Sequence, residues 1–225
     1  MIQSTLRLYA DTLIETGSAV LRGPFVWLYL MVLPVVSLLI SVVVSPLGMI
    51  GGFIAGFAII YLYAAYLYAV GQCVESRKSL GFGVIQESMG HHLWDLMGIA
   101  FLHFLLSLAF QFGSLPSVIP TLVVVVTFIL FNPWPEVIHT DRVSGSMDIL
   151  VRAFRFMQSN GPEWVVPHLV LFAMGAGVMV MPGDLGPAMA LGSGLLLHPV
   201  MVFRGVLYRK LGTDSRRSRA WKSRF

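Results

Sequence analysis

The chain has 225 residues, 56% hydrophobic and only 12% charged, with a net charge of +4 and a mean hydropathy of +0.80. Soluble domains carry roughly a quarter charged residues, so this composition excludes an ordinary soluble domain and points to a polytopic membrane protein. The basic residues flank apolar runs instead of forming one patch, which argues against nucleic acid as a partner, and a lone Cys73 excludes an intrachain disulfide.

A bilayer core of about 30 Å takes roughly 20 apolar residues per helix. Residues 4–21 come first as an amphipathic segment, with Leu6, Tyr9, Leu13 and Val20 expected on one face. Residues 1–24 are too polar for a signal-peptide core, and the apolar run after them is long enough to read as a retained span. Spans are expected at 25–44 and 48–70, followed by a second amphipathic segment over 79–92 with Val84, Ile85 and Met89 on its apolar side. The next two spans are 93–112 and 115–131, divided at Gly113 and Ser114; Pro116 and Pro120 would kink the latter. Counting these two as one bent helix gives an alternative with five spans. Residues 144–164, SGSMDILVRAFRFMQSNGPEW, form the third amphipathic segment. Met147, Leu150, Val151, Phe154 and Met157 recur at helical spacing, Ser146 is the expected N-cap with Asp148 in the first turn, and Gly161 with Pro162 should end the helix. Its apolar face would lie on lipid or pack on the spans. Spans at 164–181 and 186–206 close the transmembrane domain, 1–206, and 207–225 form a basic tail.

With six spans, the loops at 45–47, 113–114 and 182–185 contain no Lys or Arg, so all 15 basic residues fall on one side. Lys and Arg are retained on the cytoplasmic side, which predicts a bacterial inner-membrane protein with both termini cytoplasmic. Trp27, Trp94 and Trp164 open alternate spans at intervals of about 70 residues, suggesting three units, each an interfacial helix followed by a pair of spans. These tryptophans fit an interfacial aromatic belt. The expected fold is therefore all-α, a six-span polytopic membrane protein in three such units.

The stretch MDILVRAFRFMQSNGPEWVVPHLVLF, residues 147–172, resembles the helix-into-span segment of a broad group of uncharacterised bacterial six-span membrane proteins. It is similar to segments of the membrane domain fused to some bacterial glycerophosphodiester phosphodiesterases. Arg152, Ala153, Arg155, Phe156, Asn160, Gly161 and Trp164 occupy the positions of that pattern, while its usual serine is replaced near Phe154. The resemblance implies the six-span layout and no activity.

His91, His92 and Asp95 form the densest group of ligand-type residues, but without a further ligand motif they read as interfacial anchors and no metal or cofactor is expected. Asp95, His103 and His198 are the candidate polar groups within the membrane. The histidines would make interhelical hydrogen bonds, and a proton path through Asp95 and His103 is the sharper alternative. Gly52 and Gly56 form a GxxxG, and Gly175, Gly177, Gly192 and Gly194 give small-residue faces suited to internal packing or a homo-oligomer. Arg152, Arg155, Trp164, Arg209, Lys210, Arg216 and Arg217 are the expected lipid or partner contacts, anionic headgroups foremost. The function expected is non-enzymatic: a membrane subunit or scaffold contacting lipids or a partner protein. A transporter or permease subunit is the second reading, which requires Ser37, Gln72, Asp95, His103, Gln111, His168 and His198 to line a cavity. A lipid-modifying enzyme is third.

Overall fold

The computed structural model describes residues 2–76, 80–113, 118–179 and 186–213, and among these it is helical with no strand. In chain order the helices are α1 (Ile2–Arg22), α2 (Val26–Val44), α3 (Gly48–Glu75), α4 (Gly83–Ser88), α5 (Leu93–Phe112), α6 (Val118–Phe131), α7 (Trp134–Asp141), α8 (Ser146–Met179) and α9 (Gly186–Thr213). A 3-10 turn, Ser45–Leu47, joins α2 to α3. Among the described residues, three stretches are long and apolar enough to cross a bilayer: Gly48–Glu75, Leu93–Phe112 and Val118–Asp141. Their length and composition mark the chain as a membrane protein.

The core sits at one end of the molecule. It gathers the second half of α3 (Ala64 to Val74), Val137 and Ile138 of α7, Ile149, Ala153, Phe156 and Trp164 of α8, and Met201 to Leu211 of α9. The opposite halves face outward: Met49, Ile50 and Phe53 of α3 are exposed, and α6 has no buried residue at all. A surface of Val, Ile, Phe and Leu is stable in hydrocarbon, where it forfeits nothing to water.

Two glycines allow the helices of the core to meet. A methyl group at Gly71 would lie 2.8 Å from the His139 carbonyl oxygen, and one at Gly205 would lie 2.7 Å from Val74 Cγ2. By contrast, a methyl at Gly52 or Gly56 meets nothing within 4 Å, so that GxxxG pair does not serve packing between the described parts of the chain.

Several expected elements take a different form. Gly161 and Pro162 do not end a helix: α8 runs unbroken through both. Proline costs a helix interior about 3 kcal/mol, and Phe156, Asn160 and Trp164, buried on either side of it, offset that loss. The buried stripe of α8 is Ile149, Ala153, Phe156, Met157, Asn160 and Trp164; of the residues expected on the apolar face, Met157 is buried, Leu150 and Phe154 are half-buried, and Met147 and Val151 are exposed. The stripe is turned partway from the expected one, sharing Met157 with it, and it packs on the body of the protein.

On α1 the four residues expected on one face divide: Tyr9 and Val20 pack on the core, whereas Leu6 and Leu13 point outward. The buried row is Thr12, Thr16 and Ala19. Both hydroxyls donate within the helix, Thr12 Oγ1 to the Leu8 carbonyl at 2.6 Å and Thr16 Oγ1 to that of Thr12 at 2.7 Å, so burying them strands no polar group.

The segment at 79–92 contributes only the six-residue α4, held by the Tyr29 hydroxyl donating to the Ile85 carbonyl at 3.2 Å. α5 ends at Phe112 and α6 begins at Val118, with Pro120 in its first turn, where no N–H is needed. α9 continues past Val206 to Thr213 and buries Leu207, Tyr208 and Leu211, so the boundary expected at 206–207 cuts through the core.

Candidate functional site

The polar centre of the molecule is built on α7, a helix absent from the sequence reading. Pro133 precedes Trp134 and Pro135, which open the helix with missing or unneeded N–H groups, and Glu136 sits in the first turn, where the dipole favours an anion. Glu136 keeps 0% of its side-chain surface and Arg204 only 14%. Arg204 Nε donates to Glu136 Oε1 at 2.6 Å and Nη2 to Oε2 at 2.9 Å, a two-pronged bond; Nη2 also donates to the Asn132 carbonyl at 2.8 Å. The guanidinium lies 5.6 Å from the Trp164 ring centre, and Trp164 Nε1 donates to Asn132 Oδ1 at 3.1 Å. Each charge thus has an opposite partner and further polar neighbours, the condition under which burying an ion pair is tolerable.

Trp164 was expected at the lipid boundary as a contact residue. It is instead 1% exposed, ringed by Phe156, His168 and Tyr208, and its indole N–H is satisfied by the half-buried Asn132 side chain. Trp94 is the exposed one. Asp95 does not face hydrocarbon: its Oδ1 accepts the Gly145 N–H at 2.8 Å and its carbonyl accepts from Ser146 Oγ at 3.3 Å. These bonds tie α5 to the start of α8, where Gly145 adopts φ +97° and offers its carbonyl to the Ile149 N–H. Gly145 therefore takes the N-cap position expected for Ser146.

With Asp95 spent in this way, no path to His103 forms. His103 is exposed and lines a separate cavity. His198 is 0% exposed and makes no hydrogen bond among the described residues; its ring lies edge-on to Trp27 and Tyr66. The interhelical bond expected of it is therefore absent there. His91 packs on Tyr68, and His92 Nδ1 stands 3.9 Å from Asp95 Oδ2. Burial, together with the neighbouring His91, lowers the His92 pKa below its ordinary value, and Asp95 opposes this only in part. Among the described residues, no three His, Cys, Asp or Glu side chains converge as metal ligands would.

The basic contacts expected from sequence are brought together at the charged end. A cleft of about 1160 Å³ is lined by Arg152, Arg155, Arg209, Asp141, Asp148 and Glu75 among others. Arg152 Nε bonds Asp141 Oδ2 at 2.7 Å, and Arg155 stays exposed. Arg209 pairs with Glu15 and donates to the Val74 carbonyl at 2.5 Å, while Lys210 Nζ lies 3.0 Å from Glu15 Oε2. Burial alone would raise the Glu15 pKa, but the Lys210 hydrogen bond and the charges of Arg209 and Lys210 outweigh it and hold the pKa below the ordinary value. Burial and the hydrogen bond to Asp141 raise that of Tyr208. Arg216, Arg217, the loop at 182–185, the side chain of Ser37 and the surroundings of Gly175, Gly177, Gly192 and Gly194 lie outside the described residues.

No family model, curated protein or solved structure matches this chain.

Proposed function

We propose that the chain is a six-span protein of the bacterial inner membrane, with both termini cytoplasmic, that serves as a non-catalytic subunit or scaffold. It would contact anionic lipid, and through it or beside it a membrane-protein partner, with its cytoplasmic face. The three further spans would be α2, the second part of α8 and the first part of α9. The resemblance of residues 147–172 to the group of six-span bacterial proteins belongs to the same proposal.

The observation that carries the reading is the division of α1 into two faces. One face, Thr12, Thr16 and Ala19, packs into the body, while Leu6, Leu13, Ile14 and Leu21 stand exposed along the other. Leucines at that spacing beside the exposed Arg7 suit the headgroup boundary: apolar side chains reach the acyl region and the cation meets phosphates. The helix leads within three residues into apolar α2, which agrees with the depth such a face requires.

The separation of the polar groups favours a scaffold over a transporter. Gln72 lines a small pocket beside His91 and His92, Asp95 is bound to Gly145, His198 is walled in by rings, and His103 lines a cavity of its own with Arg204 and Asn132. They make no common path.

Placing the fluorophore of Leu13→Trp in nanodiscs containing shallow-brominated lipid tests the α1 assignment. Quenching of the new emission, stronger with anionic than with zwitterionic lipid, is expected. Emission that stays water-like and unquenched would remove the lipid-contacting role.

A further inference from the structure

A second cavity, about 270 Å³, opens between α5, α6 and the polar centre. Its walls include Ile99, Leu102, His103 and Leu106 of α5 and Thr127, Phe128 and Phe131 of α6; Arg204 and Asn132 line it too. We propose that this cavity binds one acyl chain of a membrane phospholipid, whose ester carbonyl accepts a hydrogen bond from Arg204. The inference rests on the chain being embedded in a bilayer, but not on the scaffold role or on the number of spans.

Three observations lead to it. First, no residue of α6 is fully buried, and an apolar void of this size beside it in a bilayer is more favourably filled by hydrocarbon than left empty. Second, most of the wall is aliphatic or aromatic, with Tyr63, His103 and Thr127 as further polar groups besides Arg204 and Asn132, the mixture of a pocket that orients an amphiphile. Third, Arg204 uses Nε and Nη2 on Glu136 and Asn132, and among the described residues no hydrogen-bond partner is recorded for Nη1. That nitrogen keeps donors to offer.

The charge of the site decides which part of the lipid it recognises. Glu136 already balances Arg204, so the pair presents hydrogen-bond donors with little net attraction for an anion. A neutral acceptor just above the acyl chain, the ester carbonyl, suits it better than a phosphate. The site should therefore be indifferent to headgroup charge, unlike the basic end of the molecule.

The test uses the purified full chain in nanodiscs containing phosphatidylcholine with a photoreactive diazirine on one acyl chain, followed by peptide mapping. Labelling of α5 and α6 peptides at the wall residues is expected, and filling the cavity with Leu102→Trp or, independently, Leu106→Trp should reduce it about tenfold. The outward Phe104→Trp should leave it unchanged, with thermal unfolding confirming that the variants remain folded. Unlabelled diacyl phosphatidylcholine should compete about tenfold better than its dialkyl ether analogue, which lacks the carbonyl, and phosphatidylglycerol should compete as well as phosphatidylcholine. Labelling untouched by both filling substitutions would mean annular lipid only and would overturn the proposal. So would equal competition by ester and ether lipids, labelling that depends on an anionic headgroup, or labelling by a photoreactive fatty acid but not by the phospholipid.

Discussion

Removing either charge of the Glu136–Arg204 pair strands the other in a site with little water to receive it. Glu136→Gln or Arg204→Met alone should cost about 3–5 kcal/mol, read as a lower unfolding midpoint in detergent. The double variant should recover much of that loss, because a neutral pair of similar volume carries no desolvated charge; a double variant as unstable as the sum of both would contradict this account. His92 gives a different signature. Its folded-state pKa is depressed, so its stabilising contribution is present above the unfolded value of about 6.5 and is lost as pH falls from there toward the folded value. Thermal stability should therefore drop on acidification through that window, and His92→Asn, which tolerates the local φ of +56°, should drop less. None of this electrostatics was legible in the sequence: Arg204 reads as a topogenic charge at a span's end and Glu136 as a loop residue. Only the register of two helices far apart in sequence makes them partners.

At the scale of elements, the glycines separate contact from mere abundance. Gly71→Ala and Gly205→Ala should each destabilise by roughly 1–3 kcal/mol, since the added methyl collides with the His139 backbone or with Val74. Gly52→Ala should be neutral or stabilising by up to about 1 kcal/mol, because its methyl enters open space and a glycine leaves a helix interior. Chemical unfolding of the three single variants checks the ordering. In the sequence the GxxxG at Gly52 is the more conspicuous pattern, and the isolated Gly71 and Gly205 carry no signal. The helical segments themselves were legible, since long apolar runs leave few alternatives. Their faces were less so. On α8 a buried Asn160 and a small Ala153 join Met157 in the inward stripe while Met147 and Val151 face out, so a reading based on hydrophobicity alone sets the face partly off its true direction. The Gly161–Pro162 pair misled for a related reason, because local propensity yields to the packing of Trp164.

Across the whole molecule, packing is graded from a dense end to an open one. The half of α3 near Val74 is enclosed, and its other half, with Met49 and Phe53, is bare. The bare half was foreseeable from composition, but the dense half was not, because it depends on α7 and on the continuation of α9. If the dense end is cytoplasmic, a cysteine introduced at Pro46 in a Cys73→Ala background should react with an impermeant maleimide added outside spheroplasts. One introduced at Gly212 should react only after the membrane is opened. The reverse pattern would invert the orientation drawn from the basic residues.

Cys73 is fully enclosed beside Gly23, where even a methyl group would come within 2.5 Å of its sulfur. As the sole thiol in the sequence, it is a clock supplied with the protein. A slow thiol-reactive dye in excess should stay dark on the intact fold and brighten only as the helices around α3 part, so that opening of the tightly packed end can be timed without adding any label site.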